Sequence, residues 1–383
     1  MPDVPLAQLD ADPHPVLARL RASEPVAWIP ALSGWVVTRR DLAMAVMRDP
    51  GAFTVDDPRF TTARVVGPSM LSTDGAEHAR HRGPLAPPFR LDAVRARFTA
   101  VVAAETDRLL DALQPRGEGD LRRGFAGPLA AAAVTAALGL ESAGVAAVLR
   151  WYDAIVDAVQ RISAGRELPG SGPAAFSDLS AAVLEALRAD PSASLVAAAA
   201  SEGGGLAPEE VVSNAAVLLF GGIETTEGMI ANALVHLLTH PDQLALVRAD
   251  PQLVAGAIEE SLRLEPAAAT IDRYATREVA IGGADIAAGD LVIVSIAAAN
   301  RDPEAFDDPD RFDVRRANAR RHLAFAGGPH VCVGMHLARL EAHTALARAL
   351  DRLPDLELTD PAGAAPRGLV FRKPRAVTAR WRT

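Results

Sequence analysis

Hydrophobic and polar positions follow two different rhythms along this chain, and the changes of rhythm divide it into elements. Between Pro25 and Thr38 apolar residues flank a Leu32-Ser33-Gly34 step, which predicts a strand, a turn and a second strand. A helix is predicted over Asp41 to Arg48, ended by Asp49-Pro50. Residues 51–73 show neither period and read as a long loop, and loops of that length in compact domains usually serve function. From Ala76 to about His240 helical spacing dominates, with breaks near Pro115-Arg116-Gly117, Pro169 to Pro173 and Gly203-Gly204-Gly205. Pro208 to His240 is the longest helical segment. Pro208 with Glu209 and Glu210 behind it makes a good start, and His240-Pro241 a good stop. At 1.5 Å per residue its roughly 30 residues span about 45 Å, enough to cross a whole domain.

Pro251 to Leu264 is a further helix. Residues 271–296 alternate in strand fashion, with turns at Gly282-Gly283 and Gly289. An Asp/Pro-rich irregular stretch, 301–322, precedes a helix from about Met335 to Asp351, and the C-terminal segment reads as short strands. The pattern predicts a mainly α fold with a small segregated β region and one long central helix. The Gly and Pro breaks do not separate two cores, so residues 1–383 are expected to form a single domain despite their number.

Composition narrows the function. With 49% hydrophobic and 23% charged residues the chain has an ordinary globular balance, and 4% aromatics leave the core to Ala, Leu and Val. A net charge of −9 without a basic run excludes nucleic-acid binding as the main role. One cysteine cannot form an intrachain disulfide, which fits a reducing, cytoplasmic setting. The N-terminus, MPDVPLAQLDADPHP, has neither the basic nor the apolar region of a signal peptide. The longest apolar stretch, Phe125 to Leu140, is shorter than the roughly 20 residues of a membrane span and reads as a buried helix, so no membrane anchor is expected.

That single cysteine sits in Phe325-Ala326-Gly327-Gly328-Pro329-His330-Val331-Cys332-Val333-Gly334, with a helix directly behind it. Gly327 and Gly328 permit the dihedrals of a tight loop, and Gly334 lets a flat ligand approach the first helical turn. Backbone N–H groups and a helix N-terminus are expected to lower the thiol pKa toward the metal-binding anion. A lone Cys is more often a buried structural residue, but the glycines, Phe325 and His330 around it favour a ligand. Structural zinc wants four ligands; a single sulfur suits a metal whose other ligands come from a macrocycle.

The pattern Phe-x-x-Gly-x-His-x-Cys-x-Gly resembles the haem-binding signature of the cytochrome P450 family, in its soluble bacterial form. The resemblance implies that fold, with the long helix crossing over a haem b (iron protoporphyrin IX) whose axial ligand is Cys332 and whose face Phe325 borders. Glu260-Ser261-Leu262-Arg263 resembles the family's Glu-x-x-Arg motif, which implies a buried ion pair locked by a third arginine. Arg311 fits that place best, with Arg315 and Arg316 as alternatives. His78 and Arg82 lie at i,i+4 on one helical face and, with Arg273 and His330, match the contacts to the two propionates; Arg80 and His81 read as a solvated basic face. His236 and His240 share the same spacing but lack a third metal ligand and read as structural.

Gly221-Gly222-Ile223-Glu224-Thr225-Thr226 breaks a local rule, since interior helical glycines cost roughly 1 kcal/mol each against Ala. A close helix crossing would explain them. The resemblance implies instead an oxygen-binding groove at Gly221 and Gly222, with Thr225 hydrogen-bonding dioxygen or its water and Glu224 relaying protons. Substrate contacts are expected from Met70 and Leu71, Val217 and Leu218, Ala268 and Ile271, and Phe371, which implies an apolar small organic molecule, by family habit a secondary metabolite. The expected activity is a haem-thiolate monooxygenase using O2, with electrons from a separate ferredoxin and ferredoxin reductase because the chain carries no flavin or iron–sulfur domain. Arg315, Arg316, Arg320 and Arg321 form the expected docking patch. A non-catalytic haem sensor or carrier, and a peroxide-driven oxygenase of the same fold, are the alternatives.

Overall fold

The computed structural model of the chain describes residues 4–163, 171–189 and 205–383; the predicted breaks at Pro169 to Pro173 and Gly203-Gly204-Gly205 reach outside these. Helices make up 58% of the chain, with small sheets at the side, as the periodicity predicts. The long helix runs Pro208–Thr239, 32 residues or about 48 Å. The Glu210 carboxylate accepts the Ala207 N–H at 2.8 Å, satisfying one of the donors that a helix start leaves free. Between Val211 and Val235 every residue is buried except Leu218, Gly221, Gly222 and Thr225, which are partly exposed. These recur at i, i+3, i+4 and i+7, so the helix is enclosed on all sides but one narrow stripe.

Several helices enclose it. Gly127–Leu138, the predicted buried apolar segment, crosses it closely, while Val254–Leu264 and Met335–Arg352 pack along its C-terminal half around Met229, Ile230, Leu234 and Leu237. A second apolar cluster surrounds its N-terminal half, from Val211 to Ile223. The five-stranded sheet runs in the spatial order Val26–Ile29, Gly34–Val37, Leu291–Ser295, Thr270–Ala275, Phe53–Thr54. Gly34–Val37 and Leu291–Ser295 pair parallel, and the other neighbours pair antiparallel.

Two departures from the predicted elements have simple causes. The expected loop 51–73 contains a strand, Phe53–Thr54, and a six-residue helix, Thr61–Val66. A helix that short shows no periodicity, and it is held by burying Val66 beside Val148 and Tyr152. The N-terminus forms helices Leu6–Ala11 and His14–Ser23. Its prolines obscure them, yet Pro15 lies in the first helical turn, where the missing N–H is harmless.

The Glu260–Arg263 pair is fully buried, both side chains at 0% exposure. Arg263 donates to both Glu260 oxygens at 2.7 and 2.8 Å and to the carbonyls of Asn300, Pro309 and Arg311. The third arginine is Arg316, not Arg311: Arg316 Nε donates to Glu260 Oε1 at 2.8 Å. Arg311 is exposed and supplies only its backbone carbonyl, which accepts from both arginines. Spacing alone could not choose between them, because the stretch is irregular and its path is decided by tertiary contacts. His236 and His240 flank the Phe312 ring at 5.2 and 5.1 Å, and His236 Nδ1 lies 2.9 Å from Ser261 Oγ, a packing arrangement.

A direct test separates the two arginines. R316A removes a charge-assisted hydrogen bond from a buried carboxylate and should lower stability by about 2 kcal/mol. R311A keeps the carbonyl and should change it by less than about 0.5 kcal/mol. Denaturant unfolding of both variants measures this, and equal losses would contradict the assignment.

Candidate active site

Cys332 ends a loop tied by its own N–H to the Phe325 carbonyl at 2.9 Å, and the Gly334 and Met335 N–H groups hydrogen-bond toward its sulfur. Gly328 alone of the two loop glycines needs its freedom: its φ is +69°, and a Cβ there would meet the Met47 carbonyl, whereas Gly327 is extended. Nothing lies within 4 Å of the Cβ direction of Gly334, so the first helical turn is open on that side. The sulfur is accessible, yet burial pushes its thiol pKa up against the opposing pull of the Gly334 N–H, Arg82, Arg339 and the Met335 N–H. The expected lowering by backbone groups is therefore outweighed by desolvation, and metal ligation must itself remove the proton. Accessible but desolvated, Cys332 lines an interior cleft. Phe325 is half-buried beside it under the Arg339 guanidinium, 4.4 Å from the ring centre.

The opposite wall is the open stripe of the long helix. Leu218 on that stripe and Val333 beside Cys332 are partly buried side chains that pack against both of the apolar clusters around the helix. They mark the seam where the cysteine loop faces the helix. Gly221 has nothing within 4 Å of its Cβ direction, so it belongs to the cleft. Gly222 does not: a Cβ there would lie 2.5 Å from Val134 Cγ2, so this glycine serves the crossing with Gly127–Leu138. Thr225 Oγ1 donates to the Gly221 carbonyl at 2.6 Å, which leaves the hydroxyl oxygen an acceptor toward the cleft.

Polar groups gather at the cleft's edge. Arg82 donates to the Val331 carbonyl at 2.6 Å, and the His78 and His330 rings meet at 4.3 Å, tilted by 46°. His330 Nε2 meets Asp74 Oδ1 at 2.7 Å. Burial would raise the Asp74 pKa, but hydrogen bonds from His330, Thr54 and the Val55 N–H hold it down at about 2. Burial, then His330 and Arg82, lower His78 to about 4. Its Nε2 is buried without a hydrogen-bond partner, and neither Arg82 nor the buried Arg273 makes a salt bridge among the described residues. An orphaned ring nitrogen and two desolvated guanidiniums call for a doubly anionic group. A haem fits this place, its propionates at His78, Arg82 and Arg273 and its iron at Cys332. His81 and Arg80 are no solvated face: His81 is buried against Asn214, and Arg80 pairs with Glu210 and Glu77.

Of the expected substrate contacts, Met70 and Val217 are buried and Leu71, Leu218 and Phe371 half-buried, all at the N-terminal cluster of the long helix. Ala268 bridges to Phe371, whose ring stands edge-on to Phe220 at 5.4 Å. Ile271 packs instead against the cluster beneath the sheet.

Glu224 is buried with more partners than its sequence context suggests. The Tyr152 hydroxyl donates to it, and the Lys373 ammonium lies 2.8 Å from its Oε1. Burial, then the charges of Glu224 and Glu227, raise the Tyr152 pKa far above its ordinary range, so it remains a donor. A cleft of about 240 Å³, lined by Tyr152, Glu224, Lys373 and Arg122 and bordered by exposed Asp153, reaches this network. Tyr152 and Lys373 lie far from the motifs in sequence, and of the two only Lys373 carried a signal: it is the chain's sole lysine.

Comparison with known proteins agrees with this geometry. The family model "Cytochrome P450" matches residues 188–354. The chain is 37% identical to cytochrome P450 monooxygenase PikC of Streptomyces venezuelae, over 97% of this chain and 92% of that one. It is 33% identical to 6-deoxyerythronolide B hydroxylase of Saccharopolyspora erythraea, covering 94% and 93%. The crystal structure of CalO2 superposes with a TM-score of 0.89 at 32% identity, over 98% of both chains.

The two helix glycines should part company on substitution. G222A drives a methyl into Val134 and should cost about 1–3 kcal/mol. G221A meets open space and gains helix propensity, so stability should hold or rise by up to about 1 kcal/mol. Thermal unfolding of both proteins decides it, and similar losses would contradict the division.

Proposed function

The chain belongs to the cytochrome P450 family and is a haem monooxygenase; from that premise we propose that it inserts one oxygen atom of O2 into an apolar, small organic secondary metabolite in the cytoplasm. The observation that supports the site assignment is the open stripe of the long helix, with Thr225 tied to Gly221, and with Leu218 on it packing against the same two apolar clusters as Val333 beside Cys332. When bound, haem b supplies the dioxygen activation and the oxidising power. Cys332 holds its iron, with the Gly334 and Met335 N–H groups toward the sulfur. His78, Arg82 and Arg273 hold its carboxylates, and His330 supports that edge through Asp74 and the His78 ring.

Thr225 Oγ1, its proton given to the Gly221 carbonyl, accepts a hydrogen bond in the groove and orients a water or the reacting oxygen. Glu224 takes protons from solvent through the Tyr152–Lys373 cleft and passes them toward the groove. Apolar Met70, Leu71, Val217, Leu218, Ala268 and Phe371 favour an apolar substrate, and the clustered ones also exclude water. A tailoring role in secondary metabolism is supported by the Streptomyces relatives of that kind.

Electrons come from a ferredoxin and its reductase. The docking patch is smaller than the sequence suggests: Arg315, Arg320 and Arg321 are exposed, but Arg316 is held on Glu260. Charge reversal at Arg320 and Arg321 should slow reduction by ferredoxin and flatten its salt dependence, measured by stopped flow; an unchanged rate would remove the patch from the reading.

Turnover with O2 and a reductase system tests the site. E224Q should lower product formation by roughly 100-fold. T225A should keep consuming reducing equivalents while forming little product. No turnover in the wild type with any substrate favours the haem-carrier reading, unimpaired turnover in T225A removes Thr225 from the mechanism, and equal product from peroxide alone favours the peroxide-driven reading.

A further inference from the structure

The chain has 39 basic residues, and all but Lys373 are arginines. The one lysine is also one of the most enclosed cations, with its side chain 12% exposed. Its ammonium lies 2.8 Å from Glu224 Oε1, 2.6 Å from Glu227 Oε2 and 3.1 Å from the Tyr152 hydroxyl. An ammonium has three donors arranged around a point, and here it meets three acceptors. A guanidinium spreads its donors outward in one plane, so it does not converge them from a single atom on three acceptors as an ammonium does. The site therefore uses the single residue type that the rest of the chain avoids.

The network has a direction. Glu224 and Glu227 are neighbouring carboxylates at i,i+3 on one buried face, which repel unless a cation stands between them. Glu227 has a second cation, Arg122, at 3.1 Å. Among the described residues Glu224 has none besides Lys373. Losing Lys373 would leave Glu224 with only the Tyr152 hydroxyl, while Glu227 would stay paired. Lys373 is thus specific for the position of Glu224.

Lys373 is also joined to the substrate side. Phe371 and Lys373 are two residues apart in an extended segment, so both side chains project to the same side. Arg372 between them faces away and pins the backbone: it donates to Glu265 at 2.7 Å and to the carbonyls of Asp10, Gly368 and Pro366, while its N–H bonds the Ala267 carbonyl. Pressure on the Phe371 ring, which lies edge-on to Phe220, is applied two residues from the ammonium about a fixed pivot.

We propose that Lys373 is a positioning residue that holds Glu224 at the solvent cleft, and that the Phe371–Arg372–Lys373 segment lets occupancy of the substrate pocket alter that hold. This rests on the reading of Glu224 as the proton relay. Proton delivery is then set by whether the pocket is filled.

Because the chain has one lysine, holoenzyme grown with 15N-lysine gives one Nζ resonance, a readout independent of turnover. That resonance should be protected from solvent exchange and should shift in E224Q and in Y152F. Imidazole and 4-phenylimidazole both ligate the haem iron, but only the second projects an apolar ring into the pocket. The resonance should differ between these two complexes in the wild type and coincide in F371A. An Nζ signal identical in wild type and E224Q would overturn the hold; a phenyl response that persists in F371A would overturn the coupling. In turnover, K373M should lower product per reducing equivalent roughly tenfold with little change in KM, and K373R should not rescue it. Full product formation in E224Q would instead sink the relay reading while leaving the Nζ result standing. Loss in E224Q with neither an Nζ response nor a K373M effect would sink only the present inference.

Discussion

A helix of 32 residues buried along its length has to satisfy or exclude every polar group it carries, because unpaired polar atoms in the interior are costly. Most of its faces meet this condition with apolar packing. Asn214 bonds Met70 and His81, the Asn232 amide nitrogen donates to the carbonyls of Glu265 and Arg372 while its oxygen has no partner among the described residues, and Glu224 and Glu227 share Lys373. What is left is the stripe of Leu218, Gly221, Gly222 and Thr225. On this stripe Gly222 is taken up by the crossing with Val134, so the open positions are Leu218, Gly221 and Thr225.

Charge is buried in several places, and its pairing separates structure from function. Glu260, Arg263 and Arg316 satisfy one another and the surrounding carbonyls, which ties the irregular stretch before the cysteine loop to the Val254–Leu264 helix. Glu265 likewise holds His14 and Arg372 at the two ends of the chain, although His14 Nδ1 has no partner among the described residues. In the sense that every arginine and carboxylate has its counter-charge, these sets are closed. The set formed by His78, Arg82 and Arg273 is open, with an orphaned imidazole nitrogen and no salt bridge to either arginine. A closed set stabilises the fold and an open one awaits a ligand, and this contrast, more than any motif, supports the placement of the haem carboxylates. The Glu224 network lies between these cases: its charges are paired, but a cleft gives solvent access to them.

Much was legible in the sequence, for identifiable reasons. The long helix, the helices around it and the segregated strands follow from local periodicity and from Pro and Gly stops, which act within a few residues. The buried Glu260–Arg263 pair was legible, and Cys332, Glu224 and Thr225 stood out as candidates, because each lies in a short motif with a characteristic spacing. Tertiary structure decided what depends on contacts between distant segments. It chose Arg316 over Arg311, because an irregular chain places its side chains by packing and not by period. It divided Gly221 from Gly222, since adjacent helical positions point about 100° apart and only the neighbouring helix shows which is crowded. It turned His81 inward to Asn214, and it raised the Cys332 thiol pKa by burial that no loop sequence could reveal. It also brought Lys373 and Tyr152 to Glu224 across 149 and 72 positions of chain, respectively (373 − 224 and 224 − 152). Local spacing determines which groups the chain carries and on which elements; only the folded chain determines which of those groups share one desolvated space, because desolvation is a property of everything that surrounds a residue.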